Sequence, residues 1–244
     1  MKKFTALLAA LAAAAILPVY AQVSTDSLKA ELRKKLPAES PPIDSVKKTP
    51  YGNLYEVVTG GEIVYTDDKA SFLLVGPIID LNTKTNVTEE RMSQLNAVDF
   101  KSLPLDRAIK IVRGNGSRKI ALFEDPNCGY CKRFERDFQG VTDVTAYVFL
   151  YPILAADSVD KSKAIWCSAD PAKAWIDTMV RDRLPATAGK CDAPLEKNLA
   201  FGQAKHIRGT PTLIFEDGER LPGAVSMPEL EKRFAEAKAK LAAK

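Results

Sequence analysis

Cys128-Gly129-Tyr130-Cys131 places two thiols two residues apart. The pair directly follows a predicted strand, Lys119 to Phe123, and opens a predicted helix, Cys128 to Gln139. The first sulfur then lies where the N-terminal amides of a helix favour a negative thiolate. Cys128 is therefore the expected nucleophile. Cys131, one turn inside the helix and more buried, is positioned to attack a mixed disulfide formed by Cys128 and to release the substrate. Two other uses of such a pair compete with this one. As a structural staple, closing a loop of roughly four residues stabilises by about 1.9 kcal/mol, against about 3.4 kcal/mol for a loop of roughly 24. As zinc ligands, Cys128, Cys131, Cys167, Cys191 and the single His206 are too few and too scattered to form paired knuckles. Redox exchange outranks both, and neither a metal nor another cofactor is expected.

Cys167 and Cys191 form the natural remaining pair. They flank a helical stretch and lack the two-residue spacing, so a structural disulfide pinning that insert is preferred, with a second redox relay as the other reading. A third element, Gly209-Thr210-Pro211-Thr212, immediately precedes the predicted strand Thr212 to Phe215. Proline at a strand start can simply mark an edge or a turn. Glu124 and Asp125 lie close to the thiols in sequence, and their simplest role is to solubilise or cap the loop. His206 reads as a helix-end residue. Lys132 and Arg133 are ordinary surface charges, or cations that help lower a nearby thiol pKa. Gly129-Tyr130 contains no group that ionises near neutral pH, so the dipeptide does not announce the extreme thiolate stabilisation of a strong oxidase.

Several elements must position these residues. The chain has 244 residues, 46% hydrophobic and 27% charged, enough to bury a core and stay soluble. Its net charge of +4 includes Lys2 and Lys3 of the leader, and the small remaining excess gives no basic face for nucleic acid. Lys2-Lys3, the apolar run Ala6 to Leu17 and Val19-Tyr20-Ala21 read as a cleaved secretory signal over residues 1–21. Pro18 breaks that run short of a bilayer span, so the mature chain is expected to be soluble, without membrane insertion, in a compartment where disulfides persist. Leu28, Leu32 and Leu36 recur at helical spacing behind Ser24, Asp26 and Ser27, and Pro37 ends the pattern. From Ile43 to Leu81 the texture turns β-rich, with runs at Leu54 to Val58, Glu62 to Tyr65, Ser71 to Val75 and Ile78 to Leu81. This N-terminal unit, residues 22–82, buries too little surface to be comfortable alone, which makes pairing with a second copy attractive. Thr83 to Leu103 reads as a connecting helix. Residues 104–244 then read helix (Leu105 to Val112), strand, helix, strand (Thr145 to Leu150), and two helical stretches, Lys161 to Arg183 and Pro194 to His206. A strand, a turn, a possible short strand and a helix capped by Ser226 and Glu229 close an α/β domain with a mixed sheet.

The helix-starting CxxC followed by Gly209-Thr210-Pro211 resembles the thioredoxin fold, which implies a cis Thr210-Pro211 whose backbone pairs with extended substrate beside Cys128. The resemblance narrows further. The leader, Asn86-Val87-Thr88 with Gln94-Leu95-Asn96-Ala97, Cys128-Gly129-Tyr130-Cys131, Ala164-Ile165-Trp166-Cys167 and Gly209-Thr210-Pro211 together resemble the DsbC/DsbG family of periplasmic thiol:disulfide interchange proteins. That likeness implies an α+β, two-domain chain: a cystatin-like N-terminal dimerisation domain, a linker helix, and a C-terminal thioredoxin-like domain with a helical insert. It also implies a V-shaped homodimer whose facing sites line an apolar cleft, with Gly129, Tyr130, Thr210 and Pro211 contacting substrate. Misfolded disulfide-containing proteins would be the partners, with a membrane reductase of the DsbD type keeping the pair reduced. One departure is plain: thioredoxin carries a buried Asp six residues before its first active-site Cys, and here that position is Leu122. The expected activity is isomerisation of wrong disulfides in the periplasm; the alternatives are a DsbG-type reductase of single oxidised cysteines and a holdase chaperone.

Overall fold

The structure, a computed structural model, describes residues 24–186 and 191–243, so the expected leader lies outside the described residues. The chain divides into two compact units, one formed by the residues up to Thr59 with Val64–Leu74, the other by Gly60–Ile63 with Val75 onward.

The first unit begins with α1 (Thr25–Lys35), whose N-cap Ser24 accepts a hydrogen bond from the Ser27 amide at 3.1 Å. Leu28 and Leu32 are its buried stripe, and the helix stops just before Pro37. Strands β1 (Ile43–Lys48), β2 (Tyr55–Thr59) and β3 (Glu62–Thr66) follow in the order β1-β2-β3. Leu28, Leu32, Ile43, Val46, Tyr55 and Val57 make a small core between helix and sheet. The run expected at Ser71 to Val75 reduces to a single bridge between Tyr65 and Leu74. That at Ile78 to Leu81 reduces to β4 (Ile79–Asp80), paired with β5 (Thr85–Asn86).

The connecting helix is shorter than Thr83 to Leu103. It runs as α2 (Val87–Asn96), with the Asn86 side chain accepting from the Glu89 amide at 3.0 Å, and ends at Ala97. The chain then turns through a single 3-10 turn, Phe100–Ser102, because Val98, Phe100 and Leu103 are buried in the core of the second unit. A continuous helix would have left at least one of these three apolar side chains in water.

The second unit is a five-stranded mixed sheet in the order β10-β9-β7-β8-β6, flanked by helices. Its elements are β6 (Ile109–Arg113), β7 (Arg118–Glu124), α3 (Gly129–Phe138), β8 (Val144–Leu150), α4 (Ser158–Trp166), α5 (Pro171–Arg181), α6 (Leu195–Ala204), β9 (Thr212–Phe215), β10 (Arg220–Pro222) and α7 (Met227–Ala242). β7 and β8 are parallel; β6 joins β8, and β9 joins β7, antiparallel. The helix expected over Leu105 to Val112 is instead a short 3-10 turn leading into β6. There Ile109 and Ile111 are buried while Lys110 and Val112 are exposed, a period of two that fits a strand. The single helical stretch expected over Lys161 to Arg183 is broken between α4 and α5. Pro171 lacks an N–H to continue the first helix, and Asp170 caps the second by accepting from the Lys173 amide at 2.9 Å. Cys167 and Cys191 are joined in a disulfide that closes over α5.

Side chains on β7 alternate between the two faces. Ile120 and Leu122 join the core under α3, with Phe134, Phe138 and Trp175, whereas Ala121 and Phe123 join Phe149, Tyr151 and Ile214 on the opposite face. The end of β7 therefore delivers its side chains alternately beneath and away from the CxxC helix.

Candidate active site

Cys128 is the N-cap of α3, and its sulfur accepts a hydrogen bond from the Cys131 amide at 3.1 Å. The cap is sulfur doing what serine or aspartate commonly does, so the helix terminus that needs an acceptor is also the site that stabilises a thiolate. From 82 residues further along the chain, the Thr210 carbonyl approaches to 3.3 Å and accepts from the protonated thiol. The Thr210-Pro211 bond is cis, and the Thr210 hydroxyl, with no other partner, faces the same sulfur. A hydrogen bond from the Cys131 thiol, opposed by partial desolvation and aided by Thr210 and the backbone amides of Cys131 and Tyr130, pulls the Cys128 pKa from 9.0 to about 6. Burial, reinforced by the neighbouring Cys128 and Glu124, drives the Cys131 pKa far upward. One sulfur is thus held as an anion at neutral pH and the other as a thiol. The ultraviolet absorption of thiolate in the reduced protein should titrate with a midpoint of about 6; a midpoint at the ordinary cysteine value would contradict this geometry.

Access differs from what an openly exposed nucleophile would have. Cys128 is only 3% exposed, whereas Tyr130 beside it is 72% exposed and nothing lies near the Gly129 α-carbon on its side-chain side. The exposed surface beside the sulfur is that of Gly129 and Tyr130, with the Thr210 carbonyl against the sulfur itself. Lys132 pairs with Asp182 at 2.6 Å and Arg133 is exposed; neither contributes to lowering the Cys128 pKa. His206 sits just past α6 with φ 54°, as a helix-end residue does. Cys167 and Cys191 are committed to each other, and among the described residues no group of three or more His, Cys, Asp or Glu gathers as a metal site.

Of the two roles the sequence suggested for Glu124 and Asp125, capping the loop holds for Asp125 and solubilising it holds for neither, since both are wholly buried. The Asp125 carboxylate organises the loops around the site: it accepts from the amides of Asn127, Ile153 and Leu154 at 2.7–2.9 Å and from the Ser158 hydroxyl at 2.8 Å. Its carbonyl accepts from the Cys128 amide at 2.9 Å, which ties the nucleophile to this knot. Glu124 continues the Ile120–Leu122 face and arrives under α3 beside Cys131 and Glu135. Leu122 is apolar, as the sequence says, yet a carboxyl is still present beneath the thiols, supplied from two residues further along the strand. Alternation counted along Lys119 to Glu124 was the signal that could have found it.

Comparison with known proteins agrees with this geometry. Residues 105–238 match the thioredoxin-like domain family, and residues 9–89 match the disulfide bond isomerase protein N-terminal domain. A probable thiol:disulfide interchange protein DsbC of Bordetella parapertussis is 50% identical over 192 residues, 79% of this chain and 68% of that protein. The chain belongs to the DsbC family. It is a thiol-disulfide oxidoreductase of that family, built from a DsbC-type N-terminal domain and a thioredoxin-like domain. The DsbC of Escherichia coli K12 is 26% identical over 199 residues, covering 77% of this chain and 79% of that protein. Among solved structures, a disulfide interchange protein from Neisseria gonorrhoeae matches with a TM-score of 0.54 at 42% identity, over 55% of this chain and 98% of its own. A linker-deleted mutant of Proteus mirabilis ScsC matches at 23% identity with a TM-score of 0.50, over 66% of this chain and 90% of its own, which supports the fold alone.

Proposed function

We propose that this chain is a periplasmic disulfide isomerase in which Cys128 attacks a wrong disulfide and Cys131 resolves only those complexes that fail to rearrange. The observation that carries this reading is the opposed ionisation of the two sulfurs. An isomerase needs its first sulfur as a thiolate, and it needs the mixed disulfide to last long enough for a substrate thiol to expel it. With Cys128 at a pKa of about 6 and Cys131 held as a buried thiol, attack is fast and escape is restrained. Stabilising the Cys128 thiolate also favours the dithiol over the disulfide, so a reductant of the DsbD type can maintain the reduced pair. Gly129, Tyr130 and the Thr210-Pro211 backbone would hold an extended substrate segment across the sulfur. The leader pattern of residues 1–21 and the Cys167–Cys191 disulfide both fit an oxidising periplasm.

The N-terminal unit supports a homodimer that holds misfolded chains. Phe72, Leu73 and Leu74 at its edge are exposed, apolar side chains suited to burial between copies. A truncation that tests this must begin at Asn96, because Val98, Phe100 and Leu103 belong to the catalytic core. Such a chain should still reduce a small disulfide but reactivate scrambled ribonuclease at least about tenfold more slowly than residues 22–244, since avidity for the substrate is lost. Equal reactivation by both would remove the dimer from the mechanism. Preference for a sulfenylated cysteine over scrambled disulfides would redirect the reading to a DsbG-type reductase.

A further inference from the structure

The resolving step poses a chemical problem that the two cysteines do not solve. Cys131 is wholly buried, and before it can attack it must lose a proton where no water reaches it. The group that faces it is Glu124, at the end of β7, also wholly buried, whose carboxyl has the Cys131 thiol and the Glu135 carboxyl as its hydrogen-bonding neighbours and no partner beyond them. A buried carboxyl whose neighbours are another carboxyl and a thiol is costly to maintain and demands an explanation. Glu135 lies one turn after Cys131 on α3, the spacing that puts both side chains on one helix face. One Glu135 oxygen accepts from Trp175 Nε1 at 2.8 Å, and its carboxyl otherwise meets that of Glu124. The two carboxyls thus meet in a closed space against the resolving thiol, and the Trp175 N–H reaches them from outside it by a hydrogen bond.

We propose that Glu124 accepts the proton of Cys131 during resolution, relaying it within a Glu124–Glu135 pair. The inference rests on the reading of Cys131 as the resolving thiol. In the step, Cys131 Sγ passes its proton to Glu124 and attacks Cys128 Sγ. The Cys128–Cys131 bond forms and the bond between Cys128 and the substrate sulfur breaks. The electron pair leaves on the substrate sulfur as a thiolate. Cys131 and Cys128 are left oxidised as a disulfide, the substrate cysteine is reduced, and the pair of glutamates has gained one proton, which the departing thiolate or solvent later collects.

The surroundings suit a proton shared between two carboxyls. Burial raises Glu124 well above the usual carboxylate range, and the charges of Glu135 and Cys128 add to it. Burial raises Glu135 too, but the Trp175 N–H and the charge of Arg113 on β6 favour its anion. A single proton on the pair then resides on Glu124 and the negative charge on Glu135, and Glu124 can take a proton from Cys131 as it hands its own to Glu135. The ionisable groups around the pair are Cys128 and Cys131 from α3 and Arg113 from β6. The Asp125 carboxylate is directed instead to Ile153, Leu154 and Ser158.

The test follows the reaction of the reduced full-length chain with oxidised glutathione by stopped flow, separating glutathionylation of Cys128 from release of the second glutathione. In Glu124→Gln the release phase should slow at least tenfold at pH 7. Its rate should climb with pH without the plateau expected of the native chain, and Glu124→Asp should recover part of it. Glu124→Leu, which fills the space without hydrogen bonding, should behave as the glutamine variant. In infrared titration of the native protein, a protonated buried carboxyl should be visible near neutral pH and absent from Glu124→Gln. Native release kinetics with a native pH profile in both the glutamine and leucine variants would overturn the proposal, as would an infrared band that survives the substitution. Reactivation of scrambled ribonuclease by the native chain is measured alongside. Its absence would defeat the isomerase reading while leaving this step standing, whereas normal release in the variants would defeat this step alone.

Discussion

Cys128→Ser should abolish thiol:disulfide interchange, lowering the rate on a scrambled substrate by at least about a thousandfold, to background, because a hydroxyl neither ionises near neutral pH nor forms a disulfide. The fold should survive, since serine is a favoured helix N-cap and can accept the Cys131 amide hydrogen bond that sulfur now receives. Activity and stability are therefore separable at this position. There is also a pH signature. The Cys128 pKa in the folded, reduced protein is about 6 against an ordinary value of 9.0. A depressed pKa adds stability that is fully present above the unfolded value and is lost as pH falls through the folded one. The reduced native protein should accordingly gain stability between about pH 6 and pH 9, and the serine variant should lack that gain. Denaturant titrations across this range measure it directly. Retained reactivation of scrambled ribonuclease by the serine variant would leave only a chaperone role.

The second large effect is on stability. Asp125→Ala removes the acceptor for three backbone amides and a hydroxyl in a wholly buried position. The Ile153 and Leu154 amides would be left without that acceptor, and orphaned buried donors each cost about 1–3 kcal/mol. A loss of about 3 kcal/mol or more is expected, a fall in Tm of roughly 6–12 °C for a protein of this size. Scanning calorimetry of the native and variant proteins decides it, and a Tm within a degree of native would show that the knot around Asp125 is dispensable. Asp125→Asn, which keeps one acceptor oxygen, should lose less.

These two residues mark how unevenly the site could be read in advance. The position of Cys128 was legible because it rests on local geometry: a CxxC at the start of a helix puts the first sulfur at the cap, and capping needs only neighbouring residues. α3, β7, β8, β9 and the Ser226 cap of α7 were legible for the same reason, as periodicity and turn chemistry are short-range. β6 was read as helix because Leu105 to Val112 has apolar residues at spacings compatible with either period. The antiparallel pairing with β8, made by residues more than thirty positions away, decides for a strand. Asp125 and Glu124 were read as acids that solubilise or cap the loop; Asp125 does cap loop amides, but the burial of both was not legible because charged residues beside a turn are usually exposed.

The amino-acid order alone determined which sulfur opens a helix, where a helical insert interrupts the sheet and which two further cysteines remain to pair. Those features depend on neighbours along the chain. Tertiary structure decided what surrounds the sulfurs. The Thr210 carbonyl reaches Cys128 across 82 residues through the β7–β9 pairing, and Glu124 is sealed under α3 because the strand alternates and the helix lies over that face. Burial and electrostatic environment are properties of packed surfaces, which no local pattern encodes, and here they separate one cysteine that ionises readily from one that does not.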